Sequence, residues 1–299
     1  MRRNAPTLLN VAYRPRLFHD GRESRLEQQV WGPLLAANEM ANPSVGAVLD
    51  RISALADYDG LFEAAFDGDG PGMETVGAAL AAYQRTLLAA DSPFDRREDD
   101  DGAFTPAAAR GLELFNGKAR CALCHPADGP APQFTDEDAH NTGVGYRRAH
   151  ARPLAERRTY RIAPGVAVEI DLGAVAESAE ARPEDLGVYE VTGRPADVWK
   201  YRTPSLRNVA LTAPYMHDGS MATLDDVVAF YNRGGFAHEG LDPALRPLGL
   251  SQAEAADLVA FLTALTGDVS RLTEDAASAP IGDRTGGGGA GNAGVALFD

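Results

Sequence analysis

The chain has 299 residues, 44% of them hydrophobic, and a formal charge of −15 at pH 7 with a sequence pI near 4.8. That is apolar content for about two domains, and the acidic balance excludes a nucleic-acid role, which needs clustered basic side chains against phosphate. Two cysteines rule out a disulfide framework, and no apolar run reaches the roughly 18 residues of a membrane helix. The opening MRRNAPTLLN has two arginines but no apolar stretch of a signal peptide.

Helical patterns dominate along the chain. Ser24 and Glu27 read as a capping box ahead of LEQQVWG. Val45, Val48, Leu49, Ile52 and Leu55 share one helical stripe over 43–57, and 73–90 reads as a further helix. It runs into SPFDRREDDDG, a polar, acidic stretch that reads as an inter-domain connection. Thr105-Pro106 opens the next helix, with Ala109, Leu112 and Phe115 at helical spacing. Alternation at Val166, Val168, Ile170 and Leu172 predicts a short strand. Thr223 with Asp226 caps a helix to about Asn232, and Ser251 with Glu254 boxes a last helix ending near Gly267. The tail from about Ala276, with GGGGAGNAG, reads as disordered.

Residues 5–30 align without gaps to 203–228 at a constant offset. Pro6/Pro204, Leu8/Leu206, Asn10/Asn208, Val11/Val209, Ala12/Ala210, His19/His217, Asp20/Asp218, Gly21/Gly219, Leu26/Leu224 and Val30/Val228 match. The repeat predicts two related domains. In the second copy a cysteine motif precedes the repeated segment, so the counterpart of the first copy would lie upstream of residue 1. Either the first domain lacks one, or the chain begins inside a longer protein.

That motif is Cys121-Ala122-Leu123-Cys124-His125, the spacing of c-type haem attachment. Two thiols add to the two vinyl groups, and the adjacent imidazole ligates the iron. A zinc half-site would need further ligands at spacing, which His140 and His150 lack; a dithiol redox pair would need a βαβ pattern. The second axial ligand stays open among Met216, Met221, Tyr231, His140, His217 or none. Tyr231 shares a helical face with Leu224 and Val227, which by spacing alone reads as a core tyrosine.

PTLLNVAYRPRLFHDGR, LEQQVWGPLLAANEM, AAYQRTLLAADSPFDR, the haem motif, FTDEDAHNTGVG, DLGVYEVTG and TPSLRNVALTAPYMHDGSMATLDDVVAFYNRGG together resemble bacterial diheme cytochrome c peroxidases, and within them the methylamine-utilisation subgroup. The resemblance covers roughly residues 3–267. It implies an all-α fold of two cytochrome c-like domains related by the repeat, with few short strands: 1–98 as the remainder of a first haem domain, 99–273 as the domain carrying the haem motif, and 274–299 as a Gly-rich tail. It implies a periplasmic enzyme that reduces hydrogen peroxide at one haem with electrons delivered through the other. The donor would be a small protein such as a cytochrome c or a cupredoxin, and a homodimer is a candidate assembly. Tyr231 falls at the distal-ligand position, where ordinary members have methionine. Gln29 and Glu39 match the pair over the peroxide-reactive haem, Glu39 being suited to proton transfer from a desolvated setting. Asn4, Thr212 and Pro214 match calcium ligands between the domains, a side-chain amide oxygen and two backbone carbonyls. Two departures stand out: the first Cys-x-x-Cys-His is absent, and His19 replaces the usual inter-haem tryptophan. A one-haem electron carrier with a methionine ligand and no peroxide chemistry is the alternative.

Overall fold

The computed structural model describes residues 2–99, 102–150, 157–163, 166–171, 185–270 and 272. Its first block holds α1 (Leu26–Gln29), α2 (Trp31–Leu35), α3 (Val45–Ser53), α4 (Leu61–Ala65) and α5 (Met73–Thr86). The second holds α6 (Pro106–Asn116), α7 (Val144–His150), α8 (Tyr189–Thr192), α9 (Leu224–Asn232) and α10 (Gln252–Thr263). Strands are few and short: β1 (Ala139–His140) pairs antiparallel with β4 (Tyr201–Arg202), and β2 (Arg157–Ala163) with β3 (Val166–Asp171). The helix-rich class expected from the sequence is what forms. No described helix is long and apolar enough to cross a membrane.

Side-chain caps start several of the longer helices. Thr105 accepts a bond from Ala108 N ahead of Pro106, and Thr223–Asp226 and Ser251–Glu254 form reciprocal boxes. The box expected at Ser24 and Glu27 does not form. Arg25 is the extended N-cap of α1 without a side-chain cap, and the Glu23 carboxylate takes the Ser24 and Arg25 N–H groups. Glu27 pairs instead with Arg85 at 2.6 Å. The helix expected over 73–90 stops at Thr86, because Asn10 claims the chain beyond it: Asn10 N donates to the Leu87 carbonyl, and the Asn10 amide exchanges two bonds with Ala89. The described part of SPFDRREDDDG is packed at two positions. Phe94 is 2% exposed within the core of the second block, and Asp95 pairs with the buried Arg207. The predicted strand appears as β3; Leu172 and the Gly-rich tail lie outside the described residues.

The main core lies where α6 packs directly on α10. Phe94, Phe115, Phe134 and Phe261 meet there edge to face, with centroids 5.0–6.2 Å apart, and Leu258, Leu262 and Leu265 fill between them. A smaller cluster of Val30, Trp31, Val48, Phe62 and Val76 holds α1 to α5 together. Equivalent turns recur at the repeat. Asn10 and Asn208 are both left-handed (φ 57 and 60), and Leu17 bridges Glu23 as Tyr215 bridges Met221. The amino-terminal segment docks on the second block through backbone: Asn4 N donates to the His217 carbonyl and Arg202 N to the His19 carbonyl, each at 2.7 Å. Arg3 adds ion pairs to Asp185 and Asp20.

Candidate haem-binding site

A cavity of about 340 Å³ is bounded by α9, the α6–α10 pair and the amino-terminal segment, and its wall includes Cys121, Cys124, His125 and Tyr231. Cys121–Leu123 is a single 3-10 turn that the His125 N–H closes onto the Cys121 carbonyl at 2.9 Å, so one tight turn delivers both thiols and the imidazole. His125 Nδ1–H donates to the Phe134 carbonyl at 2.7 Å. That bond fixes the tautomer and leaves Nε2 its lone pair for a metal. Burial lowers the His125 pKa, which also favours the neutral ligand form. Burial pushes the Cys121 thiol up to about 12, so it is a neutral thiol at physiological pH. Tyr231 is raised by burial first and then by the nearby cysteines; its phenol keeps its proton unless a cation takes the oxygen.

The wall is mostly apolar, with Phe115, Leu258, Leu262, Val227 and Val228 contributing. A buried donor in it, Arg120 Nη1, and a buried ring nitrogen, His217 Nε2, lack partners among the described residues. Buried polar atoms of this kind call for a partner. Two thiols, a free imidazole nitrogen, an apolar enclosure and an orphaned guanidinium donor fit a metalloporphyrin, which offers vinyl groups, a metal and carboxylates in turn.

His140 holds Asp242 through Nδ1 at 2.7 Å and Asp136 through Nε2 at 2.9 Å. Its pKa is raised to about 10, by a hydrogen bond with Cys124 first and, against burial, by the two carboxylates. Sequence spacing gave no third ligand near the cysteines. Folding brings Asp136 and His140 within 4.8 Å of Cys124, where Asp136 N donates to the Cys124 carbonyl at 2.9 Å, a proximity that spacing does not show. His150 does not join it.

Other expected residues divide. Gln29 lines the cavity and accepts from Gln84 Nε2 at 3.4 Å. Glu39 is exposed and outside the cavity wall, not in the desolvated setting expected for it. His19 lines the cavity and donates through Nε2 to the Asn4 carbonyl at 3.0 Å, while His217 stacks on Tyr201 with ring centroids 3.5 Å apart. Asn4 Nδ2 donates to the Pro214 carbonyl at 2.7 Å, which brings two of the three expected calcium residues together; the Thr212 hydroxyl donates to the Val209 carbonyl. Of the candidate sulfur ligands, Met216 lines the cavity and Met221 does not. The Phe134 carbonyl and the arginines Arg14 and Arg202 escaped sequence reasoning. A backbone acceptor has no residue signature, and the two arginines lie far apart in the chain.

Known proteins resemble this chain along most of its length. A family model described as di-haem cytochrome c peroxidase matches residues 1–102. Cytochrome-c peroxidase IdrP1 of Denitromonas iodatirespirans is 38% identical over 268 residues, covering 88% of this chain and 68% of that protein. The methylamine utilization protein MauG of Methylorubrum extorquens is 34% identical, over 91% of this chain and 66% of its own length. A MauG-like protein associated with microbial copper homeostasis superposes with a TM-score of 0.69 at 31% identity, covering 90% of this chain and 76% of that one. The diheme peroxidase BthA of Burkholderia thailandensis gives 0.68 at 27%, over 89% and 72%. With this similarity along most of its length, the chain belongs to the di-haem cytochrome c peroxidase family.

Proposed function

We propose that this chain passes electrons from a small donor protein, a cytochrome c or a cupredoxin, through a covalently held haem c at His125 to a second haem, where hydrogen peroxide is reduced. Oxidation of a protein side chain at that second haem is the other outlet. The observation that carries the reading is the single cavity on which Cys121, Cys124, His125 and Tyr231 converge. When bound, the haem supplies a redox-active iron. Cys121 and Cys124 would hold it, His125 would ligate through Nε2, and Tyr231 would give up its proton to supply an anionic oxygen. That oxygen would neutralise iron charge and so favour the higher oxidation states. Gln29, steadied by Gln84, would shape the peroxide pocket. Glu39, open to water, would carry protons toward it.

Asn4, Thr212 and Pro214 would bind calcium, a hard cation suited to amide and carbonyl oxygens, where the amino-terminal segment meets the second block. Residues 1–98 and 99–273 form two domains in this reading, supported by the matching Asn10 and Asn208 turns, with 274–299 as a tail. A periplasmic location follows from thioether attachment, which takes place outside the cytoplasm. A homodimer is the assembly to look for.

Protein matured in a cytochrome-assembly-competent host and then denatured should keep its porphyrin; loss of the porphyrin on acid extraction refutes the reading. Met216 is the ligand of the competing electron-carrier reading, and a methionine–iron charge-transfer band in the ferric spectrum would select it over Tyr231.

A further inference from the structure

Arg14 and Arg202 are buried cations that share one carboxylate. Their side chains are 8% and 10% exposed. Arg202 Nη1 donates to Glu137 Oε2 at 3.1 Å and to the Thr203 carbonyl, and Arg202 Nε donates to the Phe18 carbonyl. Arg14 Nη1 reaches Glu137 Oε1 at 3.4 Å, a long bond, and among the described residues its side chain makes no other hydrogen bond. A guanidinium carries five N–H donors, so most of those on Arg14 are unused. Two positive charges therefore face one negative charge, in a protein of net charge −15 that has acidic side chains to spare. Burial lowers the Arg14 pKa to about 10; Glu137 pulls it back up and Arg202 pushes it down. A buried charge without full compensation is strongly unfavourable.

The surplus faces the ligand space. Arg14 and Arg202 both line the cavity shared by Cys121, Cys124 and His125, whereas Glu137 does not. We propose that Arg14 and Arg202 together form the seat of a carboxylate of the cavity's own ligand, a porphyrin propionate. This rests on the haem reading above. Guanidinium forks match carboxylate geometry, and a single propionate between them would balance the charge that Glu137 leaves over. Arg14 comes from the amino-terminal segment and Arg202 from β4, so this anion also ties the two together. The roles are positioning roles: the arginines fix the porphyrin edge and set the field that the iron feels.

The test uses haem-loaded chain, with covalent attachment verified first by denaturation. If wild type retains no porphyrin, the haem reading falls and the seat falls with it. On loaded protein, the propionate-bending bands in resonance Raman and the midpoint potential are measured for Arg14→Gln, Arg202→Gln and Glu137→Gln. Both arginine variants should move a propionate band and lower the potential, because a carboxylate left without its cation favours ferric iron. Glu137→Gln should raise the potential, since both guanidinium groups then turn to the remaining anion. Should Arg14→Gln fail to load haem, Arg14→Lys carries the test: a moved band supports the seat and an unmoved one counts against it. Propionate bands unmoved in loaded arginine variants overturn the proposal whatever the potential does, because a small anion from solution in the site would leave them unchanged.

Discussion

Gly111 lies where α6 crosses α10, and replacing it with alanine should loosen the cavity wall. A β-carbon there would sit 2.1 Å from the Asp257 carbonyl oxygen and 2.7 Å from Phe261 Cβ. Real Cβ contacts essentially never fall under 3.0 Å, so the helices must separate by about 1 Å. Both obstacles are anchored to backbone and cannot swing aside. Overpacking of this severity costs about 3 kcal/mol, the upper end of the usual range. In a chain of this size each kcal/mol lowers the thermal midpoint by about 2–4 °C, which gives a fall of about 6–12 °C. The same separation moves Phe115 on α6 away from Leu258 and Leu262 on α10, all three in the cavity wall, so less porphyrin should be incorporated. Circular dichroism melts of haem-loaded protein measure the first effect, and absorbance per chain after denaturation the second. Gly46→Ala is the control: its added carbon meets only Ser44 Oγ at 3.7 Å, and alanine is the better helix former in α3. A Gly111→Ala midpoint within about 1 °C of wild type would refute the argument.

The Arg207 side chain is 5% exposed and meets both Asp95 oxygens at 2.7 Å; Asp95→Ala strands that cation and should cost about 3 kcal/mol in urea unfolding. A loss near zero would mean that the Pro132 carbonyl and Ser92 hydroxyl suffice. Burial raises the Asp185 carboxyl, but hydrogen bonds and charge from Arg3 outweigh it and hold it at about 2. A carboxyl depressed in the folded state stabilises fully above its unfolded value of about 3.9 and loses that contribution as pH falls toward the folded one. Acid titration of haem-loaded protein should therefore show destabilisation between about pH 4 and 2 that Asp185→Asn reduces; an identical slope in the variant would contradict the assignment. Tyr231→Phe should change the ferric absorption spectrum, and an unchanged spectrum removes Tyr231 as a ligand.

Local chemistry was legible in the sequence and long-range placement was not. Thr223 and Ser251 marked their helix starts because a cap needs partners only three residues away. Phe94 was hidden in an acidic stretch, since polar neighbours say nothing about which core an aromatic ring enters. Spacing put Tyr231 on an apolar helical face; only the packed structure shows that this face bounds the cavity. The haem motif itself was fully legible, whereas the Phe134 carbonyl that orients His125 is a backbone group brought in by a turn nine residues later. Glu39 was picked out by resemblance, and its exposure to water is a property of the fold that the resemblance did not give.

The docking of residues 4–19 onto residues 202–217 has a consequence for assembly. Those contacts join parts of the chain made roughly 200 residues apart, and non-local pairing of this kind forms late and slowly. Until those contacts form, the stretch 4–19 is missing from the cavity wall, whereas the turn that carries the thiols at 121 and 124 is closed by its own local bond. Attachment ahead of that docking would meet a turn uncovered on the flank where residues 4–19 later lie.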